Sequence, residues 1–134
     1  MMRLEVAAVY VGLNILILLI LSYLVMAGRR RHKIVLGEGE NPDFLRAIRA
    51  HANAAEYIPA ALVGIVVLAL LEPAAPLWLL HASGISLTVG RILHGWGLHQ
   101  GQLTFGRMAG IVLTWGSYLL IGGGLLYAGL SQEL

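Results

Sequence analysis

The sequence predicts an all-α integral membrane protein, a four-transmembrane-helix bundle forming one domain over residues 1–134, and three observations carry that prediction. Of its residues, 58% are hydrophobic and 12% charged, whereas soluble domains carry about 25% charged residues. Long apolar stretches cover residues 4–27, 57–71, 74–90 and 108–130, and a helix needs about 20 apolar residues to cross the hydrocarbon layer. The nine Lys and Arg residues are also unevenly placed, all but Arg3 lying within 29–49 or 91–107. By the positive-inside rule, connections 29–42 and 99–104 face the cytoplasm, while both termini and the Glu72–Pro76 turn lie outside.

The first helix is expected over about 4–28. A cleaved signal peptide fits poorly, because the apolar run exceeds the usual length and its basic cluster, Arg29, Arg30, Arg31 and Lys33, follows the run instead of preceding it. The connection RRRHKIVLGEGENP ends in a helix start, with Asn41 at the cap and Pro42 at the first helical position, where its missing N–H is harmless. The second helix then runs over 43–71. Pro59 inside it cannot donate to the Ala55 carbonyl, which predicts a kink just beyond the polar turn. The third helix, 76–98, reaches spanning length only if Arg91–Leu98 is helical. The fourth, 105–129, carries Gly106, Gly110, Thr114, Ser117, Gly124 and Ala128 at spacings that let helices approach closely in lipid.

Two polar constellations interrupt this apolar frame. In RAIRAHANAAEY, residues 46–57, the residues Arg46, Arg49, Asn53, Glu56 and Tyr57 share about a quarter to a third of the helix circumference at 100° per residue, and His51 lies on the far side. Placing an Arg deep in a bilayer costs about 2.5–3.5 kcal/mol on insertion scales, so such a stripe faces a bundle interior, a partner or a cavity. Its bland role is an ion-pair network, Arg49 with Glu56 or Asn53. Glu56 stands two turns from Arg49, about 10 Å along the axis, too far for an easy direct bridge. The second constellation is GRILHGWGLHQGQLTFGR, residues 90–107. It sets Arg91 and His94 one turn apart and puts Arg107 at the start of the fourth helix, where its charge adds to the positive end of the dipole.

Some chemistry is excluded. With no cysteine, any thiol must come from a substrate. Five histidines without carboxylate or cysteine neighbours at ligand spacing predict no metal site. No nucleic-acid partner is expected.

The run FLRAIRAHANAAEYIP, Phe44–Pro59, resembles the second-helix signature of the MAPEG family, membrane-associated proteins in eicosanoid and glutathione metabolism. GRILHGWG, Gly90–Gly97, looks like the family's third-helix motif, and Arg107 followed by Gly110 like its fourth-helix start. The resemblance covers essentially the whole chain. It implies a homotrimer of four-helix bundles in contact with membrane lipids, with glutathione bound between subunits near the cytoplasmic face as thiol cosubstrate. Carried over by position, Arg49, Asn53, Glu56 and Tyr57 hold the tripeptide from one subunit, and Arg30, His51 and Arg107 reach it from the neighbour; His94 is a further candidate glutathione-binding residue. Arg107 matches the family's catalytic arginine and would stabilise the thiolate, while Arg46 matches a structural one. A hydrophobic small-molecule substrate enters from the lipid between helices 1 and 4. The chain departs from members acting on lipid epoxides or peroxides, which carry tyrosines in the third-helix motif where this chain has Ile92 and Trp96. The serine that some members place after the catalytic arginine is Met108 here.

Two functions from different classes follow. One is a glutathione-dependent membrane transferase or peroxidase acting on hydrophobic electrophiles or hydroperoxides. The other is a divergent, non-catalytic trimeric membrane protein that binds glutathione or another anionic ligand. A small transporter using Glu56 as proton carrier is disfavoured, because the surrounding arginines would keep that carboxylate ionised. No targeting signal is visible, so a bacterial inner membrane is the expected location, although an endoplasmic reticulum membrane would satisfy the same topology.

Overall fold

A computed structural model describes residues 2–71, 75–101 and 104–131. The expected Glu72–Pro76 turn lies partly outside the described residues, at 72–74, as do positions 102 and 103 of the connection 99–104. The chain forms α1 (Met2–His32), α2 (Pro42–Leu70), α3 (Leu77–His99) and α4 (Phe105–Leu130). Among the described residues there is no strand.

Each boundary has a local cause. α1 continues past Gly28 through Arg29, Arg30, Arg31 and His32, and the three arginine charges sit in the last turn against the negative end of the helix dipole. It then closes in a Schellman turn, the Ile34 N–H donating to the Arg29 carbonyl at 3.0 Å and the Lys33 N–H to that of Arg30 at 3.4 Å. This turn holds Lys33 at φ 56°, a left-handed conformation that a glycine takes more easily. α2 starts as the sequence predicts, with Asn41 Oδ1 accepting from the Phe44 N–H at 3.0 Å and Pro42 in the first turn. The Asn41 amide also donates to His32 Nδ1 at 3.0 Å, tying the start of α2 to the end of α1. α2 remains helical through Pro59. Thr104 caps α4 by accepting from the Arg107 N–H at 3.4 Å.

Interhelical bonds fix the direction of each helix. Arg3 Nε donates to the Ala75 carbonyl, Tyr10 pairs with His81, and Asn14 with Thr88, so α1 and α3 run parallel. Ser117 donates to the Ser83 carbonyl and Arg91 to Thr114, so α4 runs opposite to α3. The end of α1, the start of α2, the end of α3 and the start of α4 therefore meet at one end, where eight of the nine Lys and Arg residues lie.

The packing is inverted relative to a soluble bundle. Ala61, Ile65 and Leu68 of α2 meet Leu80 and Leu87 of α3 and Ile121 of α4 in the core, and Ile58 of α2 is wholly buried as well. Asn14, Ser83, Thr114 and Ser117 are wholly buried there, while Leu13, Leu16 and Ile20 of α1 and Val112, Trp115 and Leu119 of α4 stand exposed. An apolar exterior of this extent needs lipid or another subunit against it. α1, α2 and α4 are each long and apolar enough to cross a membrane. α3 has 23 residues, about 34 Å of helix, and turns its polar residues Ser83, Thr88, Arg91 and His94 inward. Its seam with α4 uses the predicted small residues, since Gly106, Gly110, Thr114 and Ser117 form the buried face of α4. The approach is close enough to require glycine: a Cβ at Gly90 would meet the Gly110 carbonyl at 2.9 Å, and one at Gly110 would meet that of Gly90 at 2.6 Å.

Candidate functional site: an arginine-lined crevice at the basic end

The site begins with Arg91, which is 2% exposed and has no acidic partner among the described residues. Its Nε donates to Thr114 Oγ1 at 2.9 Å and one Nη to Asn53 Oδ1 at 2.9 Å. The guanidinium lies over the Tyr57 ring, 5.2 Å from its centroid, and the second Nη has no partner. Tyr57 is held in turn by Tyr118, whose hydroxyl donates to the Tyr57 carbonyl at 2.7 Å and whose ring meets it edge-on. A buried cation without a counter-ion is costly. Neutral acceptors and an aromatic face supply part of the compensation.

Asn53 links this buried network to an open crevice. Its oxygen accepts from Arg91, so its amide N–H groups remain free as donors. The crevice, about 270 Å³, is lined by Arg49 and Asn53 of α2, His94 and Leu98 of α3, and Arg107, Met108 and Ile111 of α4. No carboxylate is among these residues. Such a lining suits a ligand rich in acceptors, with planar arginine forks for carboxylates or a thiolate. His94 is oriented by its Nδ1, 3.1 Å from the Arg107 carbonyl. A carbonyl only accepts, so Nδ1 carries the hydrogen.

The sequence-predicted residues divide between this crevice and its surroundings. Arg49, Asn53, His94 and Arg107 meet there within one chain, so Arg107, which the resemblance assigned to the neighbouring subunit's share, reaches the same crevice as Arg49 from its own subunit. Tyr57 lies beneath Arg91 and not on the crevice wall. Glu56 is exposed at the threshold of the uncharged run, Arg30 is exposed at the end of α1, and His51 is half-buried on the other flank of α2. None of these three lines the crevice. The bland alternative of an ion pair through Arg49 is not what the chain forms. Among the described residues the ion pair is Arg46 with Asp43, at 3.1 Å.

Two features escaped the sequence reading. Arg91 organises the interior, and its signal was present as a lone arginine following the apolar run GISLTVG. On α3 the residues facing the crevice are His94 and Leu98, one turn apart, whereas Ile92 and Trp96 look into a separate apolar groove of about 350 Å³ between α1, α2 and α3. The absence of phenols at Ile92 and Trp96 therefore does not remove a wall of this crevice.

A four-helix bundle with an apolar exterior and eight of its nine Lys and Arg residues at one end is an integral membrane protein. The model of the MAPEG family matches residues 7–127. The chain is 36% identical, over 116 residues, to inner membrane protein YecN of Escherichia coli K12, covering 87% of this chain and 86% of that one. The same figures hold for inner membrane protein YecN of Escherichia coli O6:H1. The chain belongs to the MAPEG family, which includes glutathione transferases and peroxidases. No solved structure shows a significant match to the chain.

Proposed function

We propose that the protein is a glutathione-dependent transferase or peroxidase of the bacterial inner membrane, acting on hydrophobic electrophiles or hydroperoxides. One observation carries this reading: the crevice brings two arginines, an oriented asparagine amide and a histidine together with no carboxylate among its lining residues. Arg49 and Asn53 hold carboxylate and amide groups of the tripeptide. Arg107, in the first turn of α4, holds the sulfur. Its charge and the helix terminus both favour the anion, and the thiolate is the nucleophilic form. The sulfur then attacks an electrophilic carbon or a peroxide oxygen of a molecule arriving from the lipid.

The exposed apolar faces of α1 and α4, and Glu56 left uncovered at the edge of the uncharged run, are the surfaces a trimer would cover. Glu56, Arg30 and His51 then act across the subunit boundary, Glu56 on the ligand's amine. The likeness to an inner membrane protein supports that location, and the positive-inside rule supports the crevice on the cytoplasmic side with both termini outside. Purified protein in detergent with glutathione is expected to show thiolate absorbance and to turn over an aryl halide or an organic hydroperoxide. No thiolate and no turnover across such a panel overturns the enzyme reading.

Met108 favours the second reading, a non-catalytic trimer binding glutathione or another anion, because a thioether on the crevice wall offers the sulfur no hydroxyl donor. That protein binds glutathione with the thiol protonated and shows no transfer.

A further inference from the structure

The crevice presents donors almost everywhere. Arg49 and Arg107 are cations, and Asn53 has spent its oxygen on Arg91. His94 differs. Its Nδ1–H is committed to the Arg107 carbonyl, which leaves Nε2, in the neutral ring, as a lone pair with no hydrogen bond among the described residues. A crevice of donors with one acceptor nitrogen discriminates within its ligand: carboxylates and carbonyls go to the arginines and the amide, and the S–H hydrogen goes to the nitrogen.

We infer that His94 is the general base of this site, its Nε2 taking the thiol proton while Arg107 holds the sulfur that remains. This rests on the thiol-transfer reading above. The backbone carbonyl that fixes the imidazole belongs to Arg107 itself, so base and thiolate-binding residue are registered to each other through one peptide group of α4. The charged groups around the ring are Arg49 from α2, Arg91 one turn before it on α3, and Arg107 from α4. An imidazolium among three guanidiniums is stable only beside an anion, and the thiolate produced by the transfer is that anion. With an aryl halide, the S–H proton moves to Nε2 and the sulfur electron pair forms the S–C bond. The C–halogen bond breaks with its electrons on the halide, and Nε2 then releases the proton to water.

The test uses His94→Asn in the full-length detergent-solubilised protein. The asparagine amide can still donate to the Arg107 carbonyl at the place of Nδ1 but cannot accept the proton. Affinities for glutathione and S-methylglutathione are measured by calorimetry, beside thiolate absorbance and turnover of an aryl halide. The expected result is S-methylglutathione binding within about threefold of wild type, with thiolate absorbance lost and turnover down roughly 100-fold or more. Retained thiolate and turnover in the variant overturn the role of His94 and leave the transferase reading standing. A fall in S-methylglutathione affinity matching the fall in turnover also overturns it, by making His94 a binding contact. Wild-type protein that does not bind glutathione removes both readings together. His94→Gln, an amide at the place of Nε2, is the second variant if the first does not fold, with the same expected loss of thiolate and turnover.

Discussion

The bundle contains two buried polar clusters, and they are built on opposite principles. Between α1 and α3, Asn14 donates to the Tyr10 carbonyl and to Thr88, each at 2.9 Å, and the Tyr10 hydroxyl pairs with His81 at 2.9 Å. No permanent charge enters the core there, and two helices that meet lipid on their other faces are joined by uncharged hydrogen bonds. Between α2, α3 and α4, Arg91 brings a full positive charge into the core without a carboxylate to meet it, and its partner Asn53 opens on a crevice. The first cluster is what helix association in lipid asks for, polar groups bonded across a seam. The second is more expensive than association requires. Arg91 itself lines the apolar groove, and its bond to Asn53 is what ties its charge to the crevice where the proposed anionic ligand would lie.

Substitutions can separate the two clusters, and the largest effect is expected at Arg107. Arg107→Ala removes the cation proposed to hold the sulfur and should lower turnover of an aryl halide by about 100-fold or more, as loss of a preorganised donor does elsewhere. Glutathione affinity falls less, which a steady-state kcat and KM comparison reads directly. Arg91→Met comes next. Apolar replacement of a buried charge is often neutral or stabilising, so thermal unfolding should occur at or above the wild-type temperature. Glutathione affinity should nonetheless fall by about tenfold, because Asn53 loses the bond that orients its amide. A destabilised Arg91→Met with unchanged affinity would place Arg91 in the same structural class as Asn14.

Asn14→Ala should do the reverse. It removes two hydrogen bonds from a wholly buried side chain and should cost about 1–3 kcal/mol of stability, read as a lower unfolding temperature, with glutathione affinity unchanged. The smallest expected effect lies outside both clusters. Lys33 ends α1 at φ 56°, and Lys33→Gly relieves that strain, offset by the greater freedom of glycine in the unfolded chain. Its unfolding temperature should rise slightly or stay level, and a clear fall would mean that the Lys33 side chain contributes to the connection.

Much of this was readable from residues alone, for identifiable reasons. The helices were legible because in a lipid-facing bundle the apolar residues run nearly unbroken, and because Asn41 and Pro42 mark the start of α2, whereas the Thr104 cap of α4 came from the structure alone. The stripe on α2 was legible because a wheel needs only the helical repeat. It yielded Arg49 and Asn53 as neighbours, although only tertiary packing could tell that Tyr57 turns under Arg91 while Asn53 reaches the crevice. α3 was the least legible. Its polar residues Ser83, Thr88, Arg91 and His94 share one broad inward face, which the wheel alone does not divide among the neighbouring helices. Which of them look toward α4 depends on the glycine contact between Gly90 and Gly110, a property of two helices together. The reach of Arg107 to Arg49 within one chain has the same origin, the close seam that sets the start of α4 against the end of α3.

The most direct test of the contrast is a calorimetric titration of the detergent-solubilised protein with glutathione, run on wild type, Arg49→Ala and Asn14→Ala. The crevice account predicts saturable binding to wild type, binding of the same strength to Asn14→Ala, and binding about tenfold or more weaker to Arg49→Ala through loss of a charge-assisted contact. Equal affinity in all three proteins, or no binding to wild type at all, would contradict it.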